Sequence, residues 1–149
     1  MVNNVEEPTH YVIRRAISEG DLGLIAHMNE LTIGVNIHDI NVGAWWIVWD
    51  GADYAGFCGI NPPVHAGRPA YLVRAGVLPE HRGQGLQKRL IEVRLRYAKK
   101  MGWSEAVTYT LCNNAPSANS LIAKGFKVYI PKVPWASDKD NVIYWKKVL

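Results

Sequence analysis

Residues 70 to 101 change their hydrophobic period once, and a proline and two glycines mark the change. Ala70 to Leu78 reads as a strand, with Leu72, Val73, Val77 and Leu78 at its heart, and Pro79 stops it. From Gly85 to Met101 the apolar residues Leu86, Leu90, Val93, Tyr97 and Met101 recur at spacings of three and four. Lys88, Arg89, Glu92, Arg96 and Lys99 fall mostly on other faces, so an amphipathic helix follows, and Gly102 ends it. Arg82-Gly83-Gln84-Gly85 therefore leads from the end of a strand straight into a helix N-terminus. Such a terminus leaves four amides without intrahelical partners and carries about half a positive charge. Glycines at 83 and 85 remove the β-carbons that would keep an anion away, and Arg82 adds a formal charge. The unit has the makings of a pyrophosphate cradle. A glycine pair before a helix also suits a plain flexible turn, so this feature alone names no ligand.

The rest of the chain supplies partners for that unit. Tyr11 to Ile17 is strand-like, and Ser18 and Asp21 offer cap oxygens to a helix carrying Leu22, Ile25, Ala26 and Met28. Thr32 to Val42 has no clear period and is expected to form a short helix or turn. Ala44 to Trp49 and Tyr54 to Ile60 form a hairpin about Asp50-Gly51-Ala52-Asp53, and the proline-rich stretch Asn61 to Pro69 is a loop. Then come a strand (Ala106 to Leu111), a helix (Pro116 to Lys124), a strand (Phe126 to Ile130) and a final strand (Val142 to Lys147). Hairpins mixed with crossover helices predict an α+β fold on a mixed sheet.

Composition limits the remaining classes. With 149 residues the chain is expected to form one domain, 1–149. Hydrophobic residues at 48% against 20% charged exclude a disordered chain. The net charge of +4 favours anionic partners without naming one. No stretch approaches the roughly 20 apolar residues of a membrane span, and the N-terminus lacks the pattern of a secretory signal. Cys58 and Cys112 are too few for a disulfide scaffold or a zinc site. The expectation is a cytoplasmic protein with no metal, no membrane partner and no nucleic-acid partner.

Spacing rejects two phosphate-binding templates. Neither Gly83 nor Gly85 is followed by lysine, as a P-loop requires, and position 88 is lysine where the dinucleotide fingerprint needs a third glycine. What Val77-x-Pro79-x-x-Arg82-Gly83-x-Gly85-Leu86 does resemble is motif A of the GNAT N-acetyltransferases. Asn114-x-x-Ser117, followed by Lys124-Gly125-Phe126, resembles their motif B. The likeness runs from about Tyr11 to Phe126. It implies an acyl-CoA N-acyltransferase fold, sandwich-like, with a mostly antiparallel central sheet flanked by helices. It further implies acetyl-CoA as co-substrate and direct attack on it by a primary amine in a ternary complex.

The resemblance also implies roles for particular residues. A bulge is expected near Ala75-Gly76, splaying that strand from Ala106 to Leu111. Ala75 and Val77 would pair with the pantetheine arm through their backbone, and Arg82, Gly83, Gln84, Gly85, Leu86 and Gln87 would hold the pyrophosphate. Asn114 and Ser117 would face the pantetheine or acetyl end. Two positions depart from the pattern: Gln87 stands where a small residue is commoner, and Leu121 stands where many members carry a tyrosine that protonates the leaving thiolate.

Removing a proton from an alkylammonium of pKa about 10.4 needs a base or a water relay. Tyr71, which begins the strand, and His65, in the loop before it, are the candidates beside the diverging strands, with His38 and Asp39 entering from the loop opposite. Glu80 and His81 are expected to be solvated, and Cys112 to be a small buried hydrophobe. Strand alternation puts Trp45 and Trp49 on one face and Trp46 on the other. Pro131 to Trp135, followed by Tyr144-Trp145, is expected to be a flap ending in an edge strand. Two other functions stay open: a non-catalytic acyl-CoA-binding domain, as Leu121 permits, and a nucleic-acid binder using Lys88, Arg89, Arg94, Arg96, Lys99 and Lys100. The acceptor is not readable, and a homodimer is possible.

Overall fold

The computed structural model describes residues 10–34, 37 and 40–149. The elements run β1 (Tyr11–Ala16), α1 (Glu19–Thr32), β2 (Ala44–Asp50), β3 (Asp53–Asn61), β4 (Ala70–Val77), a 3₁₀ turn (Pro79–His81), α2 (Leu86–Lys100), β5 (Glu105–Leu111), α3 (Ala115–Ala123), β6 (Lys127–Val128) and β7 (Val142–Val148). Among the described residues the strands make one seven-stranded sheet in the order β1-β2-β3-β4-β5-β7-β6. Every pairing is antiparallel except β4 with β5, so the mixed, mostly antiparallel sheet expected from the sequence is what forms. β7 lies inside the sheet and the short β6 is the edge, which corrects the expectation of a C-terminal edge strand.

Helices cover both faces. Ser18 caps α1 by accepting a hydrogen bond from the Asp21 amide, and Ile25 and Met28 of that helix pack against Trp45, Ile47, Phe57 and Leu78. On the opposite face Leu86, Leu90, Ile91, Leu95 and Ala98 of α2 and Leu121 of α3 pack against Trp46, Val48, Ile60, Leu72 and Trp145. The three tryptophans of β2 divide between the faces as alternation requires.

Three side chains depart from expectation because of where the tertiary fold puts them. His81 is not solvated: its Nδ1 hydrogen-bonds the Tyr11 hydroxyl at 2.9 Å, tying the 3₁₀ turn to β1. Arg94 is only 4% exposed, so it cannot belong to a basic surface for nucleic acid. Its Nε donates to Leu90 O at 3.0 Å and its Nη1 to Gly59 O at 3.3 Å. Cys112 lies exposed beyond the end of β5, whereas Cys58 is the buried cysteine.

Burial pushes the Cys58 thiol up from 9.0 to about 11, and the neighbouring Arg94 guanidinium pulls partly the other way. The unfolded chain releases this proton near pH 9 while the folded chain keeps it, so folding stability falls as pH rises from about 9 to 11. Across that interval the loss amounts to about 2–3 kcal/mol. Tm measured against pH should show this decline, and Cys58→Ala should flatten it over the same interval. An unchanged slope in the variant would assign the decline to other groups.

Candidate active site

The site begins with a gap in the sheet. β4 and β5 pair only at Ala70 with Ala106 and Tyr71 with Val107. One step further, the Thr108 hydroxyl donates to Leu72 O at 2.9 Å, a side chain replacing the ladder as the strands part. The cause of the parting lies on the other side of β4. Cys58 pairs with Ala75 but Ile60 pairs with Leu72, so β4 carries one extra residue between them. Val73 packs on the α1 face and Arg74 Nη1 reaches Asn29 of α1 at 3.2 Å, so two consecutive residues share a face. The bulge is therefore at Val73–Arg74 and not at Ala75-Gly76 as expected. Gly76 answers a packing need instead: a Cβ there would lie 2.6 Å from both Phe57 Cε1 and Thr32 Oγ1.

Beyond the bulge the edge of β4 faces open space. The Leu78 amide donates to Ala55 O on the β3 side at 2.8 Å, so alternation turns the amides of Val77 and Ala75 toward the gap. Val77 O is engaged there by Arg82 Nε at 3.0 Å, which holds the Arg82 side chain against the strand end.

The helix start next to this gap is bare. Gly83 and Gly85 both adopt φ of +76°, Gly85 is the N-cap of α2, and no side chain caps the helix. A Cβ at either glycine would meet nothing within 4 Å, so the space in front of these amides is open. An anionic group such as a diphosphate fits there on both counts, available donors and room.

A cavity of about 670 Å³ links the two faces of the sheet through the gap. On the α2 and α3 side it is lined by Gln87, Ile91, Arg94, Thr108, Ser117 and Leu121, and on the α1 side by Ile37, Trp45, Asn61, Tyr71 and Tyr109. Burial, and then the adjacent, hydrogen-bonded Tyr109, raise the Tyr71 pKa well above the ordinary tyrosine value. Tyr71 is thus a phenol at neutral pH, able to donate a hydrogen bond and unsuited to removing a proton. Asn61, opposite Tyr71 in the β3–β4 register, carries a buried Oδ1 with no hydrogen-bond partner among the described residues. A buried acceptor left unpaired costs about 1–3 kcal/mol, and Asn61 is among the residues that line the cavity.

Of the residues singled out from the sequence, Tyr71, Ala75, Gln87, Asn114 and Ser117 line this cavity. Arg82, Gly83, Gln84, Gly85 and Leu86 form the adjoining helix start. Asn114 is the N-cap of α3 and its side chain accepts from the Ser117 amide, so that oxygen is partly committed. Gln87 also lines the cavity. His65 is exposed on the β3–β4 loop and is not among the residues that line this cavity or its neighbour. His38 and Asp39 lie outside the described residues. Leu121 is buried in the cavity wall and presents no hydroxyl. Asn61, Tyr109 and Thr108 were not singled out. The one hint in the sequence was a polar Asn61 ending an apolar strand.

Comparison with known proteins agrees with this geometry. The profile of the acetyltransferase (GNAT) family matches residues 16–126. The chain is 30% identical over 71 residues to N-acetyltransferase family 8 member 2 of Rattus norvegicus, a match covering 46% of this chain and 31% of that protein. It thus spans less than a third of that relative's length. Among solved structures, the ribosomal-protein-S18-alanine N-acetyltransferase from Escherichia coli superposes with a TM-score of 0.74 at 16% identity, covering 93% of each chain. A Bacillus subtilis acetyltransferase in complex with CoA also gives 0.74, at 14% identity over 93% of this chain and 99% of that one. The sheet and the family profile coincide: the chain belongs to the acetyltransferase (GNAT) family.

Proposed function

We propose that the protein is an acetyl-CoA-dependent N-acetyltransferase that acts on a primary amine by direct attack, without an acyl-enzyme. The observation that carries this reading is the cavity through the sheet, with the bare helix start on one side and Tyr71 and Asn61 on the other. Acetyl-CoA, when bound, supplies the electrophilic thioester. The amides at the start of α2 and the tethered Arg82 suit its pyrophosphate, and the outward amides of Ala75 and Val77 suit its pantetheine arm. An amide of the same open edge is a donor for the carbonyl oxygen as charge develops there.

On the acceptor side Asn61 Oδ1 receives an amine N–H, which aligns the nitrogen and removes the cost of the unpaired oxygen. The amine's proton leaves to water, because Tyr71 keeps its own. Leu121 provides no acid, so the departing thiolate, with a pKa of about 8.5, leaves as the anion or takes a proton from water.

The direct test is thiol release from acetyl-CoA with a panel of primary amines. Release that requires the amine is expected, and its absence with every amine would defeat the reading. Asn61→Ala should raise KM for the amine by about tenfold or more while KM for acetyl-CoA stays unchanged. A rise confined to acetyl-CoA would put Asn61 on the wrong side of the sheet.

A further inference from the structure

The buried face of α2 reads Leu86, Leu90, Ile91, Arg94, Leu95 and Ala98, so one guanidinium stands in an otherwise apolar row. An apolar side chain would fill that position without the cost of burying a charge. Two of its five N–H groups are used, by Leu90 O at 3.0 Å and Gly59 O at 3.3 Å. No other hydrogen bond and no ion pair reaches Arg94 among the described residues, so its Nη2 has no partner. Asn61 Oδ1 is the sole side-chain N or O among the described residues that is both sealed in and unpartnered. Nη2 is therefore not sealed in, and it opens on the cavity that Arg94 lines.

Nothing around that cavity balances the charge. No carboxylate is among its described lining residues, and its other arginine, Arg74, reaches Asn29 of α1. The thiol of Cys58 beside Arg94 is pushed up by burial to about 11, so it is neutral at neutral pH, where a guanidinium keeps its proton. A fixed positive charge with free N–H donors is the complement of a carboxylate.

Position tells which carboxylate. Gln87, Ile91 and Arg94 follow one another along one side of α2, and all three line the cavity. Arg94 is about 13 Å along the helix axis from Gly85, too deep to serve a diphosphate at the helix start. Through Gly59 O it sits under the bulge of β4, at the level of Leu72, where β4 and β5 part. Asn61 and Tyr71, the groups on the acceptor side, lie on the opposite face.

Resting on the acetyltransferase reading, we infer that Arg94 selects the acyl group: besides acetyl-CoA, the site takes CoA thioesters whose acyl chain ends in a carboxylate, such as succinyl-CoA, and that carboxylate pairs with the Arg94 guanidinium. The transfer balances as it does for acetyl. The N–C bond forms as the C–S bond breaks, the sulfur leaves as thiolate, the amine proton passes to water, and the distal carboxylate does not react.

Calorimetric titration with succinyl-CoA and butyryl-CoA, equal in chain length and differing in the carboxylate, reads this without an amine. Succinyl-CoA should bind about tenfold tighter. Arg94→Gln should bring the two within about twofold, and Arg94→Lys, which keeps the charge, should restore part of the preference. The native comparison decides even where neither variant folds. Equal affinities for the native chain, tighter binding of butyryl-CoA, or a preference that survives Arg94→Gln would each overturn the inference. Free glutamate titrated in the presence of CoA covers the other source of a carboxylate, the acceptor. Glutamate binding that is lost in Arg94→Gln, without a succinyl preference, would move Arg94 to the acceptor and overturn the donor assignment. Binding of acetyl-CoA and butyryl-CoA with no preference for succinyl-CoA overturns only this inference, whereas no binding of any of the three thioesters overturns the acetyltransferase reading itself.

Discussion

Gly85→Val is expected to erase the thermal stabilisation that acetyl-CoA confers. For the native chain, ligand at a hundredfold excess over Kd should raise Tm by roughly 5–10 °C. Valine at φ of +76° is strained by about 1–3 kcal/mol, and its side chain enters the open space in front of the α2 amides. Loss of binding and loss of stability are separable through Gly102, which holds φ of +75° at the far end of the same helix with equal room around it. Gly102→Val carries the same backbone strain and should keep the full ligand-induced shift. Differential scanning fluorimetry on the two variants decides the matter. A shift retained in Gly85→Val would mean that the helix start does not hold the diphosphate.

The second large effect concerns the strand that carries the gap. A Cβ at Gly56 would lie 2.7 Å from Gly76 O and 3.5 Å from Val77 Cα, both backbone atoms that cannot swing aside. Gly56→Val must therefore push β4 away from β3 just where β4 feeds the 3₁₀ turn and the cradle. The expected cost is about 3 kcal/mol, a fall in Tm of roughly 6–12 °C, together with a smaller acetyl-CoA shift. Gly23→Ala is the matched contrast: a Cβ there meets nothing within 4 Å, and alanine in a helix gains about 0.5–1 kcal/mol over glycine. A Tm for Gly56→Val within about 2 °C of the native value would show that β4 tolerates displacement.

How far the site could be read in advance depended on how local its causes are. The α2 helix and its glycine entry follow from spacing within some twenty residues, and they stand where expected. The position of the bulge did not follow, because a glycine in a strand signals either a bulge or a close approach. At Gly76 the reason is Phe57 and Thr32, brought up from two other elements. His81 was misjudged for the same cause, since its partner Tyr11 is seventy residues away. Arg94 looked like one more surface cation until the bulge opposite Gly59 left a carbonyl for it to satisfy. Tyr71 lies at the gap, but its protonation depends on burial there and on Tyr109 of the neighbouring strand.

Hydrophobic period, cap residues and the two left-handed glycines are properties of neighbouring residues, so the chain's order of strands and helices, its glycine-led entry into α2 and its family were determined by the sequence itself. Which polar atoms are stranded in the cavity, which cation lines it without a counter-charge, and on which face of the sheet each lies were decided only when β3, β4, β5 and α2 came together. Desolvation and pairing depend on what is within a few ångströms in space, and the linear order of residues does not carry those distances.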